Sequence, residues 1–370
     1  MPTAGQSPTS RRAGAAARAR PLLAGLLVVL LATLAAACGG PAADQPPPAR
    51  RSGGAAEAGG SPTTVTLAFA GDVHFDGTAE AALSRGLGTG AAPLAAADLA
   101  ILNLETAITD GGDPAPGKQF VFRAPPQAFD VLRTAGVDAV SMANNHGMDY
   151  GASGLRDSLA AAAERSLPVL GAGLDRSKAW APLRRVVRGV RISVIAATDV
   201  LDDELRTAWT AADEAPGLAS AKEGTAFADA VAAERPAADI LVAFVHWGVE
   251  KQVCPTGRQR ELAQQLVDAG ADVVVGSHAH VLQPRTSVPT PAGASLVAYG
   301  LGNFVFYGRT DQATRSGVLT VTAKAVPGAG PAGKRSVSGA WTGARIVGGR
   351  PRAVTGAELA AVQLPPRSGC

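Results

Sequence analysis

The chain has five histidines in 370 residues, and each follows closely on an apolar run beside other potential ligands. His74 closes Asp72-Val73-His74 and His146 closes Asn144-Asn145-His146. His246 opens His246-Trp247-Gly248, and His278 and His280 share Ser277-His278-Ala279-His280. Glu105, in Asn103-Leu104-Glu105, follows a further apolar run. Imidazole, carboxylate and amide oxygen make a borderline donor set suited to zinc, manganese or iron. Cysteine is missing from it, which disfavours a closed structural zinc site. One histidine after a strand is as often a hydrogen-bonded structural residue as a ligand. Five grouped in this way favour a metal centre.

Strands must place these groups. The apolar runs 65–70, 99–102, 139–142, 191–197, 240–245, 273–275 and 296–299 read as buried strands. Helical stretches are expected at 129–135, 154–164 and 258–269, with Leu262 and Leu266 on one face of the last. Gly136 and Gly270 stand where helix C-caps belong. Strands alternating with helices predict an α/β domain, with ligand-bearing loops at the carboxyl ends of the strands.

Composition agrees with one packed domain: 46% of residues are hydrophobic and 18% charged. A net charge of +3, with the arginines scattered, implies no nucleic-acid partner. Arg11, Arg12, Arg18 and Arg20 precede an apolar run at 22–37 that is short for a membrane span and ends at Ala35-Ala36-Ala37-Cys38-Gly39. This pattern resembles a bacterial lipoprotein signal with Cys38 as the lipidated residue, and it predicts a lipid-anchored protein on the extracytoplasmic face of the cell membrane. Residues 39–63 read as a flexible Pro/Gly/Ala-rich tether, 64–325 as the folded α/β domain that carries the motifs, and 326–370 as a partly strand-like C-terminal extension with a disordered end. Cys254 and Cys370 are left to pair or stay apart, which sequence does not decide.

The motif series resembles the calcineurin-like metallophosphoesterase superfamily. In finer detail it resembles the CapA family of poly-γ-glutamate capsule synthesis. The residues carrying the likeness are Asp72-Val73-His74, Asn103-Leu104-Glu105, Ala143-Asn144-Asn145-His146 with Asp149-Tyr150-Gly151, His246-Trp247-Gly248 with Glu250, the stretch 270–276 leading to His278 and His280, and Tyr299-Gly300-Leu301-Gly302-Asn303-Phe304. The resemblance spans roughly 65–322 and implies a four-layer α/β/β/α sandwich of two mixed sheets flanked by helices.

It also implies two divalent transition-metal ions (manganese, zinc or iron). Asp72, His74 and His280 would hold one, Asn145, His246 and His278 the other, and Glu105 would stand where a bridging aspartate is usual. Two such ions would activate water against a phosphoryl or acyl centre. His146 would act as general acid, with Asp149 close enough in sequence to orient it. Asn103, Asn144 and Arg123 are candidates to meet the substrate. The expected partner is an anionic polymer such as polyglutamate, or a phosphoester, along with capsule synthase or export membrane proteins. Two functions follow. One is a hydrolase of a phosphoester or amide-linked polymer; the other is a non-catalytic accessory that binds nascent polyglutamate or partner membrane proteins. Retention of His146 beside the ligand series favours the first.

Overall fold

A computed structural model describes residues 60–365 and residue 370. Cys38, the expected signal and most of the expected tether lie outside the described residues. Strands are numbered along the chain. One eight-stranded sheet holds β1 (Thr63–Val73), β2 (Leu99–Leu104), β5 (Ala139–Ser141), β6 (Val169–Leu170), β15 (Asn303–Val305), β16 (Arg315–Ala325), β17 (Arg335–Val347) and β18 (Arg350–Ala353). A six-stranded sheet holds β8 (Leu183–Val187), β9 (Val190–Thr198), β11 (Ile240–His246), β12 (Val273–Ser277), β13 (Arg285–Thr290) and β14 (Gly293–Ala298). Two short ribbons pair β3 (Ala107–Ile108) with β4 (Arg123–Ala124), and β7 (Ala172–Gly173) with β10 (Gly217–Leu218).

Both sheets are mixed. β1, β2 and β5 run parallel in the first, and β9, β11 and β12 in the second, while β16 to β18 and the hairpins β8–β9 and β13–β14 are antiparallel. Side chains alternate across each strand, so each sheet fills two layers. On β1, Val65, Leu67 and Phe69 face the other sheet and meet Val194, Val242 and Phe244, with the Phe69 and Phe244 rings 6.2 Å apart. Ala68 and Ala70 face the opposite way, toward Phe129, Leu132 and Leu155 of the helices Gln127–Thr134 and Gly151–Glu164. On β11, Leu241, Ala243 and Val245 cover Phe227, Leu262 and Leu266 of the helices Ala226–Glu234 and Gly257–Asp268. Layers in the order helix, sheet, sheet, helix result, as the resemblance implied. Truncating a buried aromatic such as Phe69 costs about 3–5 kcal/mol, so the sheet-to-sheet layer is a rigid base for what its edge carries.

Local chemistry sets the helix ends. Thr256 and Gln259 form a reciprocal capping box that starts the helix Gly257–Asp268. Gly136 and Gly270, at φ 86° and 105°, stand one residue past the C-caps of their helices, in a backbone conformation that side chains disfavour. The segment after 325 adds β17 and β18 to the larger sheet, and its last residue, Cys370, is disulfide-bonded to Cys254. Among the described residues no helix is long and apolar enough to cross a membrane.

Candidate metal centre and its flanking cavities

The parallel strands bring their carboxyl ends to one edge, where Asp72, Asn103 and His246 stand at or next to strand ends. Asp72 at the end of β1 is level with Asn103 of β2 and with Asn303 of β15. An irregularity in the β1–β2 register falls between Ala70 and Asp72, where bulges re-aim side chains. Gly71 permits this crowding: a Cβ there would lie 1.8 Å from the Gly302 carbonyl oxygen, which accepts from the Asp72 N–H at 3.0 Å. In the other sheet His246 ends β11 level with Ser277 of β12, and His278 and His280 follow. Both of those histidines hold positive φ, 93° and 55°, a strained backbone of the kind that persists where surroundings over-determine it.

Six side chains occupy or border one small volume. Ligand atoms of Glu105, His278 and His280 lie within 4.8 Å of one another, and so do those of Asp72, Glu105 and His246. Glu105 belongs to both groups. Its Oε1 stands 3.5 Å from His246 Nε2 and 3.8 Å from His280 Nε2. Asn145 Oδ1 adjoins the second group, 2.8 Å from His246 Nε2. The pairings implied by the resemblance are close as well: His280 Nδ1 lies 3.1 Å from Asp72 Oδ2, and the His246 and His278 rings are 4.7 Å apart.

His74 enters neither group. Its Nδ1 accepts from the Asp76 N–H at 3.0 Å, and its ring is enclosed by Phe122, Phe306 and Tyr307 at centroid distances of 4.6, 3.9 and 4.6 Å. Its Nε2 is buried without a hydrogen-bond partner.

Asn103 and Asn144, expected at the substrate, are consumed by the protein. Asn103 Nδ2 donates to Asp72 Oδ1 at 2.9 Å, and Asn103 Oδ1 accepts from Asn144 Nδ2 at 3.0 Å. Asn144 Nδ2 also donates to the Leu104 carbonyl, and Asn144 Oδ1 accepts from the His146 N–H. Both amides are struts that tie the loop after β5 to the end of β2. Arg123 is exposed, its guanidinium 5.2 Å from the Tyr150 ring, outside the cluster. Its neighbour Phe122 is the residue that faces inward, against His74 and His146.

His146 Nδ1 lies 2.7 Å from Asp149 Oδ2. The same carboxylate takes the Lys118 ammonium at 2.6 Å and the Phe122 N–H at 2.6 Å. Lys118 also donates to the Asn145 carbonyl oxygen and stands over the Trp209 ring at 4.9 Å. Lys118 was not foreseen. It sits in a Gly- and Pro-containing loop that carries no periodic signal. Trp247 is buried with its indole N–H on the Tyr299 carbonyl at 2.7 Å, a packing residue beneath the site.

Two cavities meet at His146, Phe120 and Glu250. The larger, about 920 Å³, is walled by Lys118, Lys222 and the acidic residues 202–204. The smaller, about 330 Å³, is walled by His280, Asn303, Phe306, Tyr307, Lys251 and Arg309.

The electrostatics fit a resident cation. Burial, then the neighbouring Asp72 carboxylate, pushes Glu105 well above the usual carboxylate range. Burial also works against ionisation of Asp72, but the adjacent His280 outweighs it and holds Asp72 low; the same pair keeps His280 raised against its own burial. Burial depresses His246 to about 3 and His278 well below its ordinary value, so both imidazoles are neutral donors at pH 7. Glu105 Oε1 and His278 Nδ1 are buried with no hydrogen-bond partner. Orphaned acceptors at the centre of a buried donor cluster are costly in a protein and satisfied by a bound metal.

Sequence comparison agrees with the motif series. A family model described as bacterial capsule synthesis protein PGA_cap matches residues 66–308. The PGA biosynthesis protein CapA of Bacillus subtilis (strain 168) is 36% identical over 181 residues, 49% of this chain and 45% of that protein. A Mycobacterium tuberculosis protein named "probable polyglutamine synthesis accessory protein" is 30% identical over 217 residues, 57% of this chain and 56% of that protein. The chain thus spans about half the length of these curated relatives. Among solved structures, a phosphatase from Mycoplasma pneumoniae aligns over 76% of this chain and 94% of its own, with 14% identity and a TM-score of 0.43. The PGA_cap match takes in well over half of the 370 residues and every residue of the cluster, and the chain belongs to that family.

Proposed function

We propose that the protein is a membrane-anchored, extracytoplasmic hydrolase with a dinuclear metal centre, acting on an amide-linked anionic polymer of the polyglutamate kind during capsule or envelope synthesis. The observation that carries this reading is Glu105, a fully buried carboxylate with one oxygen unpartnered, shared between two groups of ligand atoms. Asp72, Glu105, His246, His278 and His280, with Asn145 beside them and His74 offering a buried, unpartnered Nε2, would hold two divalent transition-metal ions. Such ions supply an activated water and stabilise charge on the oxygens of an acyl or phosphoryl centre.

The chain's own groups supply the rest. Asp149 engages Nδ1 of His146 and leaves Nε2 facing the cavities, so that the ring, in its imidazolium form with Nδ1–H on the Asp149 carboxylate, can pass the Nε2 proton to a leaving group. Burial, chiefly, lowers the His146 pKa and the Asp149 contact opposes it, so the imidazolium gives up its proton readily. A general acid so placed contributes ~10²–10⁴-fold. The anchoring part of the reading rests on Cys38 and the apolar run before it.

The name of the Mycobacterium tuberculosis relative motivates a second reading, an accessory that binds polymer without cutting it. Elemental mass spectrometry of the full chain, native and with His278→Ala and His280→Ala together, tests the first. About two equivalents of transition metal, lost in the variant along with hydrolysis of poly-γ-glutamate or a phosphoester, are expected. Metal without hydrolysis of either substrate favours the accessory; no metal after reconstitution sinks the hydrolase. Detergent phase partitioning of the full chain against Cys38→Ser tests the anchor, which predicts that only the native chain enters the detergent phase.

A further inference from the structure

We propose that the smaller cavity is a carboxylate-recognition subsite, in which Arg309 and Lys251 bind the free carboxylate of an aliphatic acid unit next to the bond being cut. This rests on the hydrolase reading and adds to it the group recognised and the side on which it lies.

Position is the first argument. The cavity wall includes His280, Asn303 and His146, so whatever fills it borders the centre. Phe306 joins the two, its ring 4.7 Å from that of His280 and 5.1 Å from that of Tyr307. At about 330 Å³ the cavity is at the small end of the ~300–1,000 Å³ typical of ligand sites, which suits one unit of a chain.

Charge is the second. Arg309 and Lys251 are exposed, and among the described residues neither is in an ion pair; the Arg309 guanidinium lies 5.7 Å from the Tyr307 ring. Glu250 is the one carboxylate on the wall, against two cations. The larger cavity has the opposite character, with Asp202, Asp203, Glu204 and Glu250 against Lys118 and Lys222, and Lys118 is already paired with Asp149. An anionic group is therefore favoured on the Arg309 side of His146 and disfavoured on the other. Guanidinium matches carboxylate through two parallel N–H donors, a geometry ammonium lacks.

The walls complete the case. Phe120, Phe306 and Tyr307 present aromatic surface, and Phe120 is 55% exposed at the mouth. Methylene groups lie well on such surface while the carboxylate reaches the rim cations. A γ-linked glutamyl unit has this design, two methylenes in the backbone and a free α-carboxylate.

The test is calorimetric titration of the full chain with a γ-linked glutamate trimer and with the same trimer carrying α-carboxamides. The acid is expected to bind about tenfold or more tighter than the amide. Arg309→Ala should remove most of the acid's advantage and leave the amide unchanged, with Arg309→Lys intermediate, Lys251→Ala losing a smaller part, and the double Arg309→Ala, Lys251→Ala variant binding acid and amide alike. Equal affinity of acid and amide for the native chain, no binding of either, or a preference undiminished in the double variant overturns the subsite. Arg309 and Lys251 are solvent-facing, and unchanged melting temperatures confirm that the variants fold. Binding is read separately from turnover: a charge preference without hydrolysis upholds the subsite and counts against the catalytic reading, and hydrolysis without a charge preference does the reverse.

Discussion

Asp149 holds Nδ1 of His146 at 2.7 Å with one oxygen and the Lys118 ammonium at 2.6 Å with the other. The carboxylate is fully buried and the lysine side chain is 6% exposed, so the three groups depend on one another. Asp149→Asn keeps the shape but leaves a buried ammonium facing a neutral amide. The expected cost is about 3–5 kcal/mol of stability, with hydrolysis reduced by ~10²–10⁴-fold. Asp149→Asn combined with Lys118→Met should recover most of the stability and none of the activity. Urea unfolding alongside polymer hydrolysis separates the two effects; recovery of both would show that Asp149 serves the fold alone.

Glu105 governs metal uptake. Without a cation, burial and Asp72 hold this carboxyl well above its ordinary range, so binding must displace a proton. Adding manganese or zinc to chelator-treated protein should raise its melting temperature, by the equivalent of about 2.7 kcal/mol at a hundredfold excess over Kd. Affinity should fall as pH is lowered. Glu105→Gln preserves volume and removes the anion, and thermal scanning should show little metal-dependent shift for it. A shift equal to that of the native chain would deny Glu105 a place in the centre.

Much of this was legible before the fold was known, for physical reasons. The runs at 65–70, 99–102 and 240–245 lie in strands buried on both faces, and such strands read as continuous apolar segments. The histidines stand out because few residue types serve as ligands and all five follow strands. What stayed hidden depends on side-chain direction and on contacts between distant loops. Arg123 and Phe122 are adjacent, and neighbours in extended chain point opposite ways; chemistry suggested the arginine, but the phenylalanine faces the site. Asn103 and Asn144 have the right chemistry for a substrate and spend it on each other. Lys118 reaches Asp149 from 31 residues away, through a loop with no pattern to announce it.

Asp98 should make stability depend on acid pH. It accepts from the Thr66 N–H at 2.7 Å and from the Arg188 guanidinium at 2.5 and 2.7 Å, tying the start of one sheet to a hairpin turn of the other. The Arg188 hydrogen bond, chiefly, holds its pKa down to about 2 from 3.8. A depressed carboxyl stabilises the folded state above its unfolded value, and that contribution disappears as pH falls through the folded one. The window is therefore about pH 4 down to pH 2. Solvent screening keeps the effect small, so Asp98→Asn should lower the melting temperature by only about 2 °C at pH 7. The gap between native and variant chains should close by about pH 2. A gap independent of pH would assign the loss to shape and not to charge.

Cys254 lies four residues after Glu250, in the segment that brings Glu250 and Lys251 to the cavities, and its bond to Cys370 ties that segment to the end of the chain. The two cysteines are 116 residues apart in sequence with Cα atoms 5.2 Å apart. Chain-entropy arguments give close to 5 kcal/mol for a loop of that order, and measured bonds more often deliver about 2–4 kcal/mol. Cys370→Ser should therefore lower the unfolding free energy by about 2–4 kcal/mol. A reductant should lower that of the native chain by the same amount and leave the variant unmoved. Urea titrations with and without reductant, with intact mass to report the bond, check this. The loop's function offers a second readout, since loosening the segment that bears Lys251 should weaken binding of the γ-glutamate trimer without altering metal content. Midpoints that ignore the reductant, in a chain whose mass shows the bond formed, would mean that the contacts of the surrounding strands alone hold the loop in place.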